Sequence, residues 1–398
     1  MKPRAGRSAR LTAGSIYLLL AVEAFLFAAF FAVVPDFKHL LELSTFEAGV
    51  SLTGLGVAMA VVAIPVGFLV DRLGPRRLTV IGALVLTASA AGHAAAVDVW
   101  SLLGARMLLG LASTAILSAG LTWLRDAVPT EQRSVVLSAV MPIIGVGSIF
   151  GPVVGGALTD WVGARVPFAA IAVALVPVVA LLLLSPAAPR DRREPPAPPR
   201  AAIALVRREP LVLGGCITIV VATLGEGLVN FLAPLQLDGH GISATMIGVF
   251  LAVGSIAFVA TGAVVARFAD WSVRLVVSGV ASLVLAGMLT PLIVSDAVAV
   301  VAGILIARMA VLGILWTVAF PLGGLGAGRA GLSSGAVFGV LMATIGVSNV
   351  AGTLAGAAIA DEAGFAAAYG VLVGLCLLGA LGLLRLAGRP ESGCAAAQ

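Results

Sequence analysis

The sequence predicts an all-α membrane protein with twelve transmembrane helices in two pseudo-symmetric six-helix bundles. Three observations predict it. Of 398 residues, 60% are hydrophobic and only 11% charged, whereas a soluble domain carries about 25% charged residues to wet its surface. Apolar runs of about 20 residues recur from end to end, each long enough to cross a hydrocarbon core about 30 Å thick as a helix. The second half of the chain also echoes the first at an offset of about 200 residues.

The twelve segments cover approximately 13–35, 48–70, 77–97, 100–124, 134–158, 166–185, 211–235, 245–266, 275–295, 297–320, 332–359 and 364–385. The first runs through Glu23 without a small-residue cleavage site, so it is expected to be a retained span and not a signal peptide. After the sixth, Pro186 to Pro210 carries six Arg among clustered prolines. It is too polar to span and reads as a semi-stiff linker. The expected division is therefore an N-terminal bundle (1–185), a cytoplasmic linker (186–210) and a C-terminal bundle with a short tail (211–398). Trp100, Trp123, Trp161 and Trp271 fall near span ends and read as interface anchors.

Orientation follows from the rule that Lys and Arg stay on the cytoplasmic side. With the N-terminus inside, 20 of the 24 Lys and Arg fall in cytoplasmic segments, Lys38 and Arg165 fall outside, and Arg106 and Arg308 lie within spans. Both termini are expected in the cytoplasm, in a multi-pass protein of the cell inner membrane. The net charge of +5 is then mostly a topology signal, and no basic face interleaved with aromatics suggests nucleic acid.

Several function classes are excluded. Cys216, Cys376 and Cys394 offer neither a disulfide framework nor metal-ligand spacing, and Lys2 and Lys38 follow no phosphate-cradling loop. No metal or organic cofactor is expected. Gly326, Gly328 and Gly331 form a G-x-G-x-x-G after an apolar helix, with no strand before it; a flexible loop is the expected reading.

The repeat is most legible where Ile144–Asp160, IGVGSIFGPVVGGALTD, pairs without a gap with Ile345–Asp361, IGVSNVAGTLAGAAIAD. Ala105-Arg106-Met107 likewise matches Ala307-Arg308-Met309, and Glu23 matches Glu226. Six spans per half give both halves one orientation, a parallel repeat of the kind that builds secondary transporters around a central site.

Three signatures stand in the first half: Gly67-Phe-Leu-Val-Asp71-Arg72-Leu-Gly74-Pro-Arg76-Arg77 after the second span, Arg106-Met-Leu-Leu-Gly110 in the fourth, and Gly147-x-x-x-Gly151-Pro152-x-x-Gly155-Gly156 in the fifth. Together they resemble the major facilitator superfamily, and within it the twelve-span drug:proton antiporters. The fourth-span signature departs from the family pattern at Leu109, where a polar residue is usual. The resemblance implies a proton-coupled efflux antiporter of the multidrug-resistance kind. It also implies a cytoplasmic gate formed by Gly67, Asp71, Arg72, Gly74, Arg76 and Arg77, with a topogenic basic loop as the alternative. The second half has Ala266 where Asp71 would fall, so gating is expected to be asymmetric. Gly147, Gly151, Gly155 and Gly156 place small residues at helical spacing for close backbone approach, and Pro152 can kink the span. The resemblance associates this helix with antiport; ordinary membrane packing is the alternative.

An ionisable group in mid-membrane costs a few kcal/mol, so it persists only if paired, hydrated or useful. Glu23 is expected to be the principal proton carrier with Arg106 modulating it, and Glu226 with Arg308 a second pair facing substrate. Structural ion pairing is the alternative for both. Tyr17, Asn230, Trp316 and Asn349 are weaker candidates for lining a substrate cavity, each also readable as a packing residue. The expected partners are a small-molecule solute and the lipid bilayer, with the protein a monomer and the proton its coupling ion. Uptake of a nutrient or lipid, and a membrane scaffold or sensor without turnover, are the competing functions.

Overall fold

A computed structural model describes residues 2–187, 209–268, 273–329 and 334–388. Twelve of its helices are long and apolar enough to cross a membrane, and no strand occurs among the described residues. The first six are α1 (Lys2–Leu40), α2 (Thr45–Leu73), α3 (Pro75–Ala94), α4, α5 (Val140–Val162) and α6 (Val166–Leu184). The helix α4 runs Val99–Ala115, passes through a π turn at Ile116–Gly120 and continues as Leu121–Asp126. A short helix, Thr130–Ser138, precedes α5. The second six are α7 (Pro210–Gly239), α8 (Ala244–Arg267), α9 (Leu275–Leu289, extended by Pro291–Val294), α10 (Val298–Arg329), α11 (Ser334–Ala363) and α12 (Phe365–Ala387). All twelve expected spans are present, most of them extended by several residues beyond their apolar cores.

Local chemistry explains several ends. Ser44 and Glu47 close a reciprocal capping box at the start of α2, with Glu47 N–H donating to Ser44 Oγ at 3.1 Å and Ser44 N–H to Glu47 Oε2 at 2.9 Å; two orphan helix donors are thereby satisfied. Asp98 caps α4 by accepting from the backbone N–H and hydroxyl of Ser101, bonds that hold its carboxyl below the usual carboxylate range. Gly74, with φ +85°, makes the turn between α2 and α3 that Pro75 then starts. Gly163 and Gly364 make the corresponding turns after α5 and α11, again at positive φ, so the repeat extends past Asp160 and Asp361 into the backbone conformation.

Helix pairing follows the same symmetry. In the first half α1 packs on α5, α2 on α4 and α3 on α6; in the second α7 packs on α11, α8 on α10 and α9 on α12. The two most extensive pairings between the halves are α2 with α11 and α5 with α8, each the symmetry image of the other, and α1 also touches α7 and α8. Two ends are distinguished below: the linker end, where α6 stops and α7 starts, and the far end, where α1 stops.

Two sequence expectations change here. Trp123 is not an interface anchor: it is fully buried and its Nε1–H donates to the Pro186 carbonyl at 3.2 Å. The reason is the end of α6, whose last carbonyls are orphaned and are taken up by the first half, Leu183 and Ser185 by the Arg76 guanidinium at 2.6 and 2.8 Å and Pro186 by Trp123. Trp100 and Trp161 are 69% and 81% exposed, as anchors should be, and Trp271 lies outside the described residues. Trp123→Ala is expected to cost about 3–5 kcal/mol, the usual range for emptying a buried aromatic site. A fall in the thermal unfolding midpoint of the detergent-purified protein would register it. The glycine motif is the second change. Gly326 and Gly328 are helical within α10, and Gly326 lies against Val212 and Glu209 at the start of α7; Gly331 lies outside the described residues.

Candidate functional site

The site is built where α1, α4, α7 and α10 reach mid-membrane. Glu23 on α1 is buried and its Oε1 accepts the hydroxyl of Ser113 on α4. Glu226 on α7 is half-buried, and its Oε2 accepts the indole N–H of Trp316 on α10 at 2.8 Å. Glu226 stands 203 residues after Glu23, while the register that pairs Arg106 with Arg308 puts Leu315 at the place of Ser113 and Trp316 one residue beyond it. Both halves thus hold a carboxylate from the facing helix, with a hydroxyl donor in one and, one position further along, an indole donor in the other. The π turn of α4 begins three residues after Ser113, and such turns are frequent at functional sites.

The arginines make no direct contact with the carboxylates, although Arg308 is near enough to Glu226 to interact with it electrostatically. Among the described residues no ion pair joins Arg106 to Glu23 or Arg308 to Glu226, so the two expected pairs do not form as contacts. Arg106 is 1% exposed and its guanidinium lies 4.3 Å from the Phe30 ring centroid and 5.9 Å from that of Phe31, a cation–π arrangement. Phe30 in turn meets His93 edge-on at 5.4 Å, and His93 stacks on Phe168 at 5.0 Å. Arg308 is fully buried, donating from Nη2 to Asn230 Oδ1 at 2.5 Å and from Nη1 toward Met309 Sδ. The cause is helix register. The helices α1 and α4 run in opposite directions, Glu23 is level with Ser113, and Arg106 precedes Ser113 by seven residues, about 10 Å along the axis. That places it beside Phe30, seven residues beyond Glu23.

The weaker candidates divide. Tyr17 donates to the Val136 carbonyl at 2.7 Å and Asn230 is held by Arg308, so both have protein partners. Trp316 stands at the site with its ring stacked on Phe320, centroids 6.2 Å apart. Asn349 on α11 faces Gly56 of α2 and Gly227 of α7, and its Oδ1 is buried without a hydrogen-bond partner.

The glycine motif of α5 serves two interfaces. Side chains added at Gly147, Gly151 or Gly155 would run into Ala21, Phe25 and Ala29 of α1, and one at Gly156 into the Ala244 backbone of α8. The Pro152 carbonyl in turn lies where a side chain at Gly248 would be. The close backbone approach that these glycines permit is thus present on two faces of α5, with α1, bearer of Glu23, packed along one and α8 along the other. Of the expected gate, Gly74 makes the turn described above, Arg76 is committed to the end of α6, and Arg72 and Arg77 are exposed. Nothing is described of Gly67 beyond its place in α2, and the Asp71 side chain lies outside the described residues.

At the far end the halves are held by polar contacts that sequence reasoning missed. Asp160, at the end of α5, accepts from the Ala244 N–H at 3.2 Å, the Thr245 N–H at 2.9 Å and the Thr245 hydroxyl at 2.5 Å. It therefore caps α8 from across the interface. His39 and Asp238 meet at 2.7 Å beside it. The available signal was the Asp at the same place in both repeats, Asp160 and Asp361.

Comparison with known proteins agrees with this architecture. The family model described as Major Facilitator Superfamily matches residues 16–338. A chloramphenicol resistance protein of Streptomyces lividans is 27% identical over 224 residues, 55% of this chain and 56% of that one. The vesicular acetylcholine transporter of Rattus norvegicus is 37% identical over 124 residues, 31% of this chain and 23% of that one. The chain thus spans about half the length of the first relative and less of the second. Among solved structures, a point mutant of the nucleoside transporter NupG superposes with a TM-score of 0.78 at 12% identity, covering 94% of this chain and 99% of that one. A D-xylose-proton symporter superposes at 0.74 and 15% identity, covering 95% and 98%. At those identities the likeness is one of fold.

Proposed function

Because the chain belongs to the Major Facilitator Superfamily, a family of transporters and not of enzymes, we propose that it is a proton-coupled antiporter exporting a small amphipathic solute. The bundles 1–185 and 211–398, joined by 186–210, rock about the central site in alternating access. Protons are the coupling ion, the protein works as a monomer in the cell inner membrane, and both termini face the cytoplasm, which makes the far end extracellular. Proton coupling rests on one observation, the buried Glu23 carboxyl held by a neutral hydroxyl with no cation against it among the described residues. Such a group carries one proton and can change its charge as the site turns from one side to the other. Export is supported by the glycine motif of α5 and by the name of the Streptomyces relative.

A proton crossing 100 mV gains about 2.3 kcal/mol, which sustains a gradient of roughly fifty-fold for a neutral solute at one proton per cycle. The test is a panel of solutes offered to reconstituted vesicles under an imposed pH gradient, scored for proton release as each is added. Solute moving against the proton flow is expected. Solute moving with the protons would replace export by uptake, and no proton movement with any solute would end the coupled reading.

A further inference from the structure

The two halves differ at one far-end corner. The register that pairs Ile144–Asp160 with Ile345–Asp361 continues through the turns at Gly163 and Gly364 and puts Ala366 at the place of Arg165. In the first half Arg165 Nη2 donates to the Ala96 carbonyl, just past the end of α3, at 2.8 Å. In the second half that side chain is missing, and Ala366 lines a cavity of about 470 Å³ between the last turn of α7, the end of α9 and the start of α12. We propose that this cavity is a binding site, separate from the central one, for a guanidinium group carried on a short apolar chain, seated as Arg165 is seated in the first half.

Three features carry it. The first is the correspondence of the two corners. Ser295 stands three residues before α10 as Ala96 stands three before α4, and Ser295 lines the cavity together with Ala366. Both members of the first-half contact therefore have their counterparts in its wall. One turn further along, Phe168 packs on Phe37 in the first half, ring centroids 5.5 Å apart. Tyr369, at the place of Phe168 in the same register, donates to Gln236 Oε1 at 3.4 Å in the second. The second feature is charge. No Lys or Arg lines the cavity, and its ionisable groups are His240 and Asp296. The His240 Nδ1–H donates to the Gln236 carbonyl at 3.0 Å, so the neutral ring keeps a lone pair on Nε2, 3.8 Å from Asp296 Oδ2. The end of α9 adds the negative end of a helix dipole and carbonyls without partners inside the helix, acceptors of the kind that Arg165 engages beyond α3. Asp296 turns away an anion. The third feature is surface. Leu235 and Leu292 are buried and Phe365 is half-buried in the same wall, which suits an alkyl chain, and the volume lies within the range of about 300–1,000 Å³ usual for small-molecule sites. Every wall belongs to the second half, so the site rests on neither transport nor proton coupling.

The experiment is a calorimetric titration of the purified full-length protein with n-butylguanidinium and with n-butylurea, its neutral isostere. Saturable binding of the cation is expected, with the urea at least tenfold weaker. Ala366→Arg tethers a guanidinium in the cavity as Arg165 does in the first half. That position is exposed, and the variant is expected to abolish the binding event. Asp296→Asn, at a side chain 81% exposed, is expected to weaken it about three- to fivefold, as for an exposed charge contact. The proposal is overturned if the cation does not saturate, if the urea binds equally well, or if Ala366→Arg leaves the event in place. Should Ala366→Arg not fold, Asp296→Asn decides, and unchanged binding in that variant removes the site. Because binding is read without flux, failure of gradient-driven transport leaves this site standing, and loss of the site leaves the antiport reading untouched.

Discussion

Glu23→Gln is expected to bring pH-gradient-driven accumulation from about tenfold per pH unit at one proton per cycle down to simple equilibration across the vesicle membrane. The argument is local. Glutamine has the size of glutamate and keeps an amide oxygen where Oε1 accepts the Ser113 hydroxyl, so the α1–α4 contact and the packing of α1 on α5 survive. What disappears is the ability to bind and release a proton. A protein that folds, binds solute and exchanges labelled for unlabelled solute at equal pH, yet no longer responds to a gradient, is the signature expected. Undiminished gradient-driven transport would remove Glu23 from the mechanism. Loss of exchange as well would reduce it to a structural carboxyl. The Arg106 guanidinium lies with the Phe30 and Phe31 rings and not against Glu23, so the neutral variant leaves no buried cation without its counter-ion.

What could be read from the sequence follows from what sequence periodicity records. The spans were legible because an apolar run of about 20 residues has few other uses, and the parallel repeat because Ile144–Asp160 and Ile345–Asp361 align without a gap. Glu23 and Glu226 stood out as carboxylates in apolar runs. Their partners were not legible. Pairing Glu23 with Arg106 matched charges without matching depth, and depth is set by where each helix starts relative to the helix it faces. Ser113 and Trp316 satisfy the depth requirement, and neither type signals a carboxylate contact by itself. Trp123 misled for a related reason. A tryptophan near a span end faces lipid headgroups only if its side of the helix faces lipid, and the orphan carbonyls of α6 turned this one inward. The π turn of α4 has no proline or glycine pair to announce it; Gly120 closes it inside an otherwise regular apolar run.

The cap on α8 leads to the second large effect, a shift in the balance between conformations. The first donors of a helix have no partner within it, and here those of Ala244 and Thr245 are satisfied by Asp160 of the opposite half, while Ser243 takes the N–H of Met246. The carboxylate also meets the positive end of the helix dipole. None of this is available once the far ends separate, because Asp160 and α8 then move apart and each is hydrated. Asp160→Ala therefore acts on the closed arrangement alone. At about 1–2 kcal/mol for a lost cap, the ratio of far-end-open to far-end-closed molecules is expected to rise roughly 5- to 30-fold. Nitroxide labels at Val97 and Val294, both exposed at the far end on opposite halves, would report it as growth of the long-distance population in pulsed electron paramagnetic resonance. His39→Ala removes an exposed contact worth about 0–1 kcal/mol even when the imidazole is charged and is expected to move the same ratio less than about fivefold. The order of the two variants is the informative result. If His39→Ala opened the far end more than Asp160→Ala, the helix cap would not be the principal lock, and if neither moved the distances, the glycine contacts between α5 and α8 would be holding the far end closed by packing alone.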